Sequence, residues 1–305
     1  MSVACGRADA PSCSTIRPPL IKRPPLTMTT KAFRIGVVNA SSRLDPERGQ
    51  AIVDWAQRMY PAGEVELVMH PSLYEVHGHF GGDDATRAAA LVDYANDPAL
   101  DAIWFARGGY GSCRIAEAVL PQLNDHARTK RYLGYSDVGT LLAAFYKAGI
   151  GTVAHGPMAS DGSRNDLTGL RAINWLRTGD QASLEASLHE DSRPAVAFNL
   201  TILNELVGTA VEPDLSGHVI MLEEVSEALY RVDRMMFHLT GQASIRGCAG
   251  IRMGRVSDVT ENDPDFGMTA EEIARYWCER AGIAYLGSAD IGHDRENKIV
   301  PFGPR

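Results

Sequence analysis

Arg131-Tyr132-Leu133-Gly134-Tyr135-Ser136-Asp137-Val138 is the stretch on which the reading of the fold turns. Apolar residues run up to a glycine, a hydroxyl follows, and helical periodicity then continues over 138–148. That pattern reads as strand, abrupt corner and helix. A hydroxyl at such a corner sits at the carboxyl end of a strand and over a helix N-terminus. Open α/β sheets bind ligands there, and the helix dipole favours developing negative charge. Ser136 is therefore a candidate nucleophile, with the backbone N–H of Asp137 pointing into the same site. The local alternative is that Ser136 or Asp137 caps the helix. The stretch alone leaves both open.

Upstream of this corner the same alternation recurs. Strands are expected at 33–39, 65–69 and 102–106, and helices at 46–60, 84–96 (with Asp84 as N-cap) and 115–123. Downstream come a short strand at 152–154 and a helix at 166–177. Strands alternating with helices of this length indicate βαβ units and a parallel sheet. Composition then shifts. A polar linker at 187–194 precedes apolar 195–200, turn signals at Gly208 and Pro213, a strand at 218–223 and a helix at 228–239. A strand at 251–256, a helix at 270–281 and short apolar runs at 284–287 and 291–293 complete the chain to Arg305, without internal repeats. The chain thus divides into a nucleophile-bearing α/β domain at 28–184 and a second domain at 185–305. Residues 1–27 hold Pro18, Pro19, Pro24 and Pro25 and no apolar signal-peptide core, so they are expected to be disordered, with Met28 as the native start.

A length of 305 residues suits two domains with a substantial core. Hydrophobic content of 45% and charged content of 22% are those of a globular protein. The formal charge of -8 argues against a general nucleic-acid binder, whose domain should be basic. No apolar run reaches the length of a membrane span. The cysteines Cys5, Cys13, Cys113, Cys248 and Cys278 are scattered, without a C-x-x-C pair. Neither a disulfide framework nor a zinc site is indicated, and a reducing cytoplasm fits.

Three further places could carry chemistry. Arg107-Gly108-Gly109-Tyr110-Gly111-Ser112 is a glycine-rich loop after a strand. It matches neither the dinucleotide fingerprint nor a P-loop, and it could lend a second N–H to an oxyanion or simply turn the chain. Glu223 ends the apolar strand His218-Val219-Ile220-Met221-Leu222, either leaving the core for solvent or held at a site. His293, in Ile291-Gly292-His293-Asp294, and His155, after its own short strand, are rival bases that spacing cannot separate. His77 and His79 lack a third nearby ligand and do not read as a metal site. Together the candidates give the chain order Ser, acid, His, which also occurs in α/β-hydrolases, although triads are recognised by geometry.

With these residues in place, the chain resembles the LD-carboxypeptidase family, the S66 serine peptidases, over nearly everything from Phe33 to Gly303. The resemblance rests on the spaced motifs Arg107-Gly108-Gly109-Tyr110-Gly111, Gly134-Tyr135-Ser136-Asp137 and His155-Gly156-Pro157-Met158. It continues in Leu222-Glu223-Glu224-Val225 with Tyr230-Arg231-Val232-Asp233-Arg234, and in Gly292-His293 with Asn297 and Pro301. It implies a nucleophile at Ser136, an acid at Glu223, a base at His293, and an oxyanion hole mapped to the N–H groups of Gly109 and Asp137. It also implies a glutamine-amidotransferase-like parallel-sheet first domain, a smaller swivelling-type α/β second domain, and a homodimer. The implied activity is removal of the terminal D-alanine of a murein tetrapeptide in cytoplasmic cell-wall recycling, with no metal or organic cofactor. Two alternatives are a hydrolase of peptidyl or aminoacyl nucleotide antibiotics conferring self-immunity, and a non-catalytic peptide or small-molecule binder on the same fold. Ala197-Phe198-Asn199-Leu200 stands where the family often has Gly-Gly-Asn-Leu, and many members continue past the final Pro-x-Gly with a further strand.

Overall fold

The computed structural model describes residues 31–304. The readings of 1–27 and of Met28 lie outside them. Ten strands occur among the described residues: β1 (Phe33–Val38), β2 (Val65–Met69), β3 (Ala102–Phe105), β4 (Arg131–Gly134), β5 (Thr152–His155), β6 (Ala195–Asn199), β7 (Val219–Val225), β8 (Gly250–Ser257), β9 (Tyr285–Ser288) and β10 (Val300–Pro301). The first sheet has the order β10-β5-β4-β3-β1-β2, parallel except for β10, which pairs antiparallel with β5. The second, β6-β7-β8-β9, is parallel throughout. The mixed α/β class and the parallel sheet are as the sequence led us to expect.

The period-two alternation that marks each strand sorts its side chains onto two faces. In β3, Ala102 and Trp104 enter one apolar cluster while Ile103 and Phe105 enter the other. In β4, Leu133 and Tyr132 divide the same way, as do Ala154 and Val153 in β5. Both clusters run on into the second sheet, with Val219 and Met221 in one and Ile220 and Leu222 in the other. The helix Pro46–Met59 supplies Ile52, Trp55 and Ala56 to the Trp104 face, and the rings of Trp55 and Trp104 meet edge-on at 6.4 Å. Trp104, fully buried, satisfies its indole by donating to the Pro157 carbonyl at 2.7 Å.

Some elements depart from the expected spans. The helix expected at 115–123 is broken into a single turn, Ala116–Val119, and a 3-10 turn, Leu120–Gln122. Pro121 lacks the N–H that a continuous helix would need. The helix Asp84–Asn96 is capped by Asp83, whose carboxylate accepts from the Thr86 N–H at 2.7 Å, and not by Asp84. Asp84 lies in the first turn and pairs with Arg87 and Arg114. A helix at Leu200–Leu206, capped by Asn199, fills a span that had shown no helical signal. The tail supplies β10 to the first sheet, and Gly303 bridges to Ala195.

The topology decides where a site can form. From β1 the chain steps outward to β2 and then crosses to β3 on the other side of β1, so the loops after β1 and β3 diverge. Such a switch point opens a crevice at the carboxyl ends of the strands. Ser41 and Ser42 follow β1, the glycine loop follows β3, and Ser136 follows β4 beside them.

Candidate active site

Ser136 takes a left-handed backbone conformation, φ 57°, one of three non-glycine residues to do so among the described residues. That region costs an L-residue roughly 1–2 kcal/mol. Gly134 ends β4, Tyr135 is extended, and the turn Ser136–Val138 leads into the helix Gly139–Ala148. Among the described residues no side chain caps that helix start. The Ser136 hydroxyl instead faces a cavity of about 220 Å³ that is also lined by Gly108, Gly109, Tyr135, Asp161 and His293. The helix-cap reading of Ser136 is thereby displaced, and so is that of Asp137. The Asp137 carboxylate turns back to accept from the Ser41 hydroxyl and from the N–H groups of Gly111 (3.2 Å) and Ser112 (2.9 Å). Burial raises its pKa, and these bonds oppose the rise.

The glycine loop passes so close to Ser136 that a Cβ on Gly108 would lie 3.1 Å from Ser136 Oγ. At Gly109, φ is 133° and a Cβ would fall 2.0 Å from Ser42 Oγ, so only glycine fits. The N–H groups of Gly109 and Asp137 donate to no partner among the described residues. These are the two donors mapped above to an oxyanion hole.

His293 Nδ1 is hydrogen-bonded to Glu223 Oε2 across 70 residues of sequence. The register of the second sheet produces this meeting. Between Leu222 and Glu224 the β7–β8 ladder shifts, leaving an extra residue on β8 opposite Glu223. The extra span is Gly254-Arg255. Gly254 leaves room for the Ile291 carbonyl, which would lie 2.7 Å from a Cβ there, and the Arg255 N–H donates to that carbonyl at 2.9 Å. The Arg255 guanidinium then clamps Asp290 and Asp294 on either side of His293. Asn297 accepts from the Gly292 N–H at 3.3 Å. The histidine loop is thus fastened over the fully buried Glu223.

Burial alone would lower the pKa of His293, but the hydrogen bond and charge of Glu223, with Glu224 and Asp161, outweigh it and raise the imidazole. Burial pushes Glu223 up, opposed chiefly by the His293 hydrogen bond. Glu224, its neighbour, is committed elsewhere: its oxygens accept from Asn199, from the Thr201 N–H and hydroxyl, and from the Val225 N–H. The departure at Ala197-Phe198-Asn199-Leu200 is absorbed by the fold. Phe198 packs on Phe302 at 5.0 Å, and Asn199 caps a helix while bonding Glu224 at 2.6 Å.

The rival base takes another place. His155 is buried on the far side of Tyr135, whose ring lies 5.5 Å from His155 and 4.8 Å from His293. Burial, reinforced by the charge of His293 and opposed by Asn297, pushes His155 down to about 3. The ordinary value is about 6.5, so the unfolded chain binds this proton first. The stabilisation is complete above about pH 6.5 and is lost as pH falls towards the folded value. Between pH 7 and 5 this single group should cost the native state about 2 kcal/mol. Urea unfolding at the two pH values should therefore show a smaller acid loss, by that amount, in His155→Gln than in the wild type. An equal loss in both would show that His155 is not the source.

The sequence did not single out five cavity residues: Arg48, Tyr135, Ser160, Asp161 and Arg164. Asp161 accepts from the Met158 N–H at 3.0 Å, and the Tyr135 hydroxyl reaches its carboxylate. Only Tyr135 carried a signal, since it lies within the corner motif. The Ser136 hydroxyl makes no hydrogen bond to His293 among the described residues; the two share the cavity wall. Also among the described residues, no cluster of His, Cys, Asp and Glu could hold a metal, and no helix is long and apolar enough to cross a membrane.

A strained serine at a strand-to-helix corner and a histidine backed by a buried glutamate line one cavity, and these are the residue types that serine hydrolases use. Comparison with known proteins narrows the class. The LD-carboxypeptidase N-terminal domain matches residues 35–156 and the LD-carboxypeptidase C-terminal domain matches 194–305. The chain belongs to the LD-carboxypeptidase family of S66 peptidases. The murein tetrapeptide carboxypeptidase of Pseudomonas aeruginosa is 25% identical over 248 residues, 74% of this chain and 78% of that protein. The muramoyltetrapeptide carboxypeptidase structure from Oxalobacter formigenes superposes with a TM-score of 0.74 at 21% identity, covering 88% of this chain and 92% of that one. The microcin C7 self immunity protein MccF superposes with a TM-score of 0.72 at 16% identity, covering 90% and 97%.

Proposed function

We propose that this protein is a serine LD-carboxypeptidase that releases the terminal D-alanine of murein tetrapeptides. The observation that carries this reading is the Glu223–His293 pair, which opens on the same cavity as the strained Ser136. In the proposed reaction His293 takes the hydroxyl proton as Ser136 Oγ attacks the carbonyl carbon preceding D-alanine. The N–H groups of Gly109 and Asp137 hold the oxyanion, and Glu223 orients the imidazole and stabilises its charged form. The C–N bond breaks as His293 returns the proton to the leaving amine. Water then attacks the acyl-serine, again through His293, and frees the shortened peptide.

We divide the chain functionally at 184/185. The part before it supplies Ser136 and both oxyanion donors, and the part after it supplies Glu223 and His293. We also place the enzyme in the cytoplasm as a homodimer, in keeping with its family. The superposition with MccF makes a peptidyl nucleotide the substrate to compare. Given a murein tetrapeptide and a peptidyl nucleotide side by side, the protein should release D-alanine from the former with the higher kcat/KM. Preference for the nucleotide would overturn the substrate assignment, and inertness towards both would favour a binding protein on the same fold.

A further inference from the structure

A carboxypeptidase must recognise a free carboxylate one residue beyond the bond it cuts, and this requires a cation with uncommitted donors near the nucleophile. Three arginines line the cavity that holds Ser136 and His293: Arg48, Arg107 and Arg164. Arg107 is occupied. Its Nε donates to the Gly108 carbonyl at 3.2 Å and its Nη1 to the Arg43 carbonyl at 3.3 Å, so it frames the glycine loop. Arg48 and Arg164 make no side-chain hydrogen bond or ion pair among the described residues. Neither is placed for the sake of its helix. Arg48 lies in the first turn of Pro46–Met59 and Arg164 just ahead of Asn165, the cap of Asp166–Thr178. A cation at a helix N-terminus opposes the dipole, whereas an anion brought there gains from it. Both arginines also flank Asp161. Arg48 acts on its carboxylate electrostatically, and the Arg164 N–H donates to its carbonyl at 3.1 Å. Asp161 and both arginines line the same cavity as His293, where the leaving amine must be protonated.

We infer that Arg48 and Arg164 bind the terminal carboxylate of the departing amino acid and so make the site a carboxypeptidase. The inference rests on the peptidase reading above. The guanidinium fork suits a carboxylate bidentately, and two forks with no partner among the described residues leave their donors for substrate. The paired cations fix the cut at one residue from the chain end.

The test compares a tetrapeptide ending in D-alanine with the same peptide ending in D-alanine carboxamide, measuring D-alanine and D-alaninamide by mass spectrometry. The wild type should prefer the free acid. In the double variant Arg48→Gln/Arg164→Gln, kcat/KM on the acid should fall roughly 100-fold, mainly through KM. Turnover of the carboxamide should change little, so the acid-to-amide ratio collapses. Because both substrates meet the same preparation, a partly unfolded variant does not alter the ratio. An unchanged ratio in the double variant would overturn the inference, as would loss of the ratio in Arg107→Gln alone. If the wild type released nothing from either peptide, the peptidase reading itself would fail, an outcome distinct from the other two.

Discussion

Ser136→Ala should reduce D-alanine release by roughly 10⁴-fold or more while leaving the fold intact. Removing a nucleophilic serine from a triad costs on the order of 10⁶ in kcat elsewhere, and the residual rate comes from oxyanion donors and binding. Here the substitution removes one half-buried hydroxyl that caps no helix, so its structural cost is small. The left-handed backbone at residue 136 stays strained with alanine, and circular dichroism and the unfolding midpoint should stay close to those of the wild type. Turnover within tenfold of the wild type would remove Ser136 from the chemistry and shift attention to the other groups around the cavity.

The second large effect is expected at Glu223. Glu223→Gln keeps the volume but removes the charge that raises the pKa of His293. In a triad the analogous change, which favours the wrong imidazole tautomer, costs about 10⁴ in kcat. The pH profile gives an independent reading. The base works only when neutral, so kcat/KM falls as pH drops through the pKa of His293. With Glu223 in place that acid limb should lie above the ordinary histidine value of about 6.5. Without it, burial dominates and the residual activity should show its limb at lower pH. A limb that stays where it was would mean that Glu223 does not set the basicity of His293. Among the described residues Glu223 Oε1 has no hydrogen-bond partner, and the residue is fully buried, so the hydrogen bond from His293 is its main compensation for lost water.

How much of this was legible in the sequence follows from the range of each interaction. Individual elements were legible because periodicity is local: β2 and the helix Ala270–Ala281 fall on the expected residues. The corner at Ser136 was legible as a corner but not as a site, because a cap and a nucleophile share one local pattern. What removes the cap reading of Asp137 is its carboxylate turning to Ser41, which is 96 residues away. The Glu223–His293 contact depends on a one-residue register shift in β8 and on Arg255 gripping a distant loop. No spacing rule encodes that, and the choice of His293 over His155 came from family resemblance. In the fold His155 is fully buried, with the Tyr135 ring between it and the cavity that His293 lines, and burial lowers its pKa. Arg48 and Arg164 look like ordinary surface cations in the sequence. Only the cavity shows that both line the wall that Ser136 and His293 share.

In the proposed reaction Ser136 is acylated by a peptide whose terminal D-alanine has left. The most direct measurement is acid quenching of the enzyme during turnover of the murein tetrapeptide, followed by mass spectrometry of the peptide that contains Ser136. The wild type should carry the mass of the shortened peptide at Ser136, formed with release of one D-alanine and absent from Ser136→Ala. Full D-alanine release by the Ser136→Ala variant, or the adduct on another residue, would contradict it.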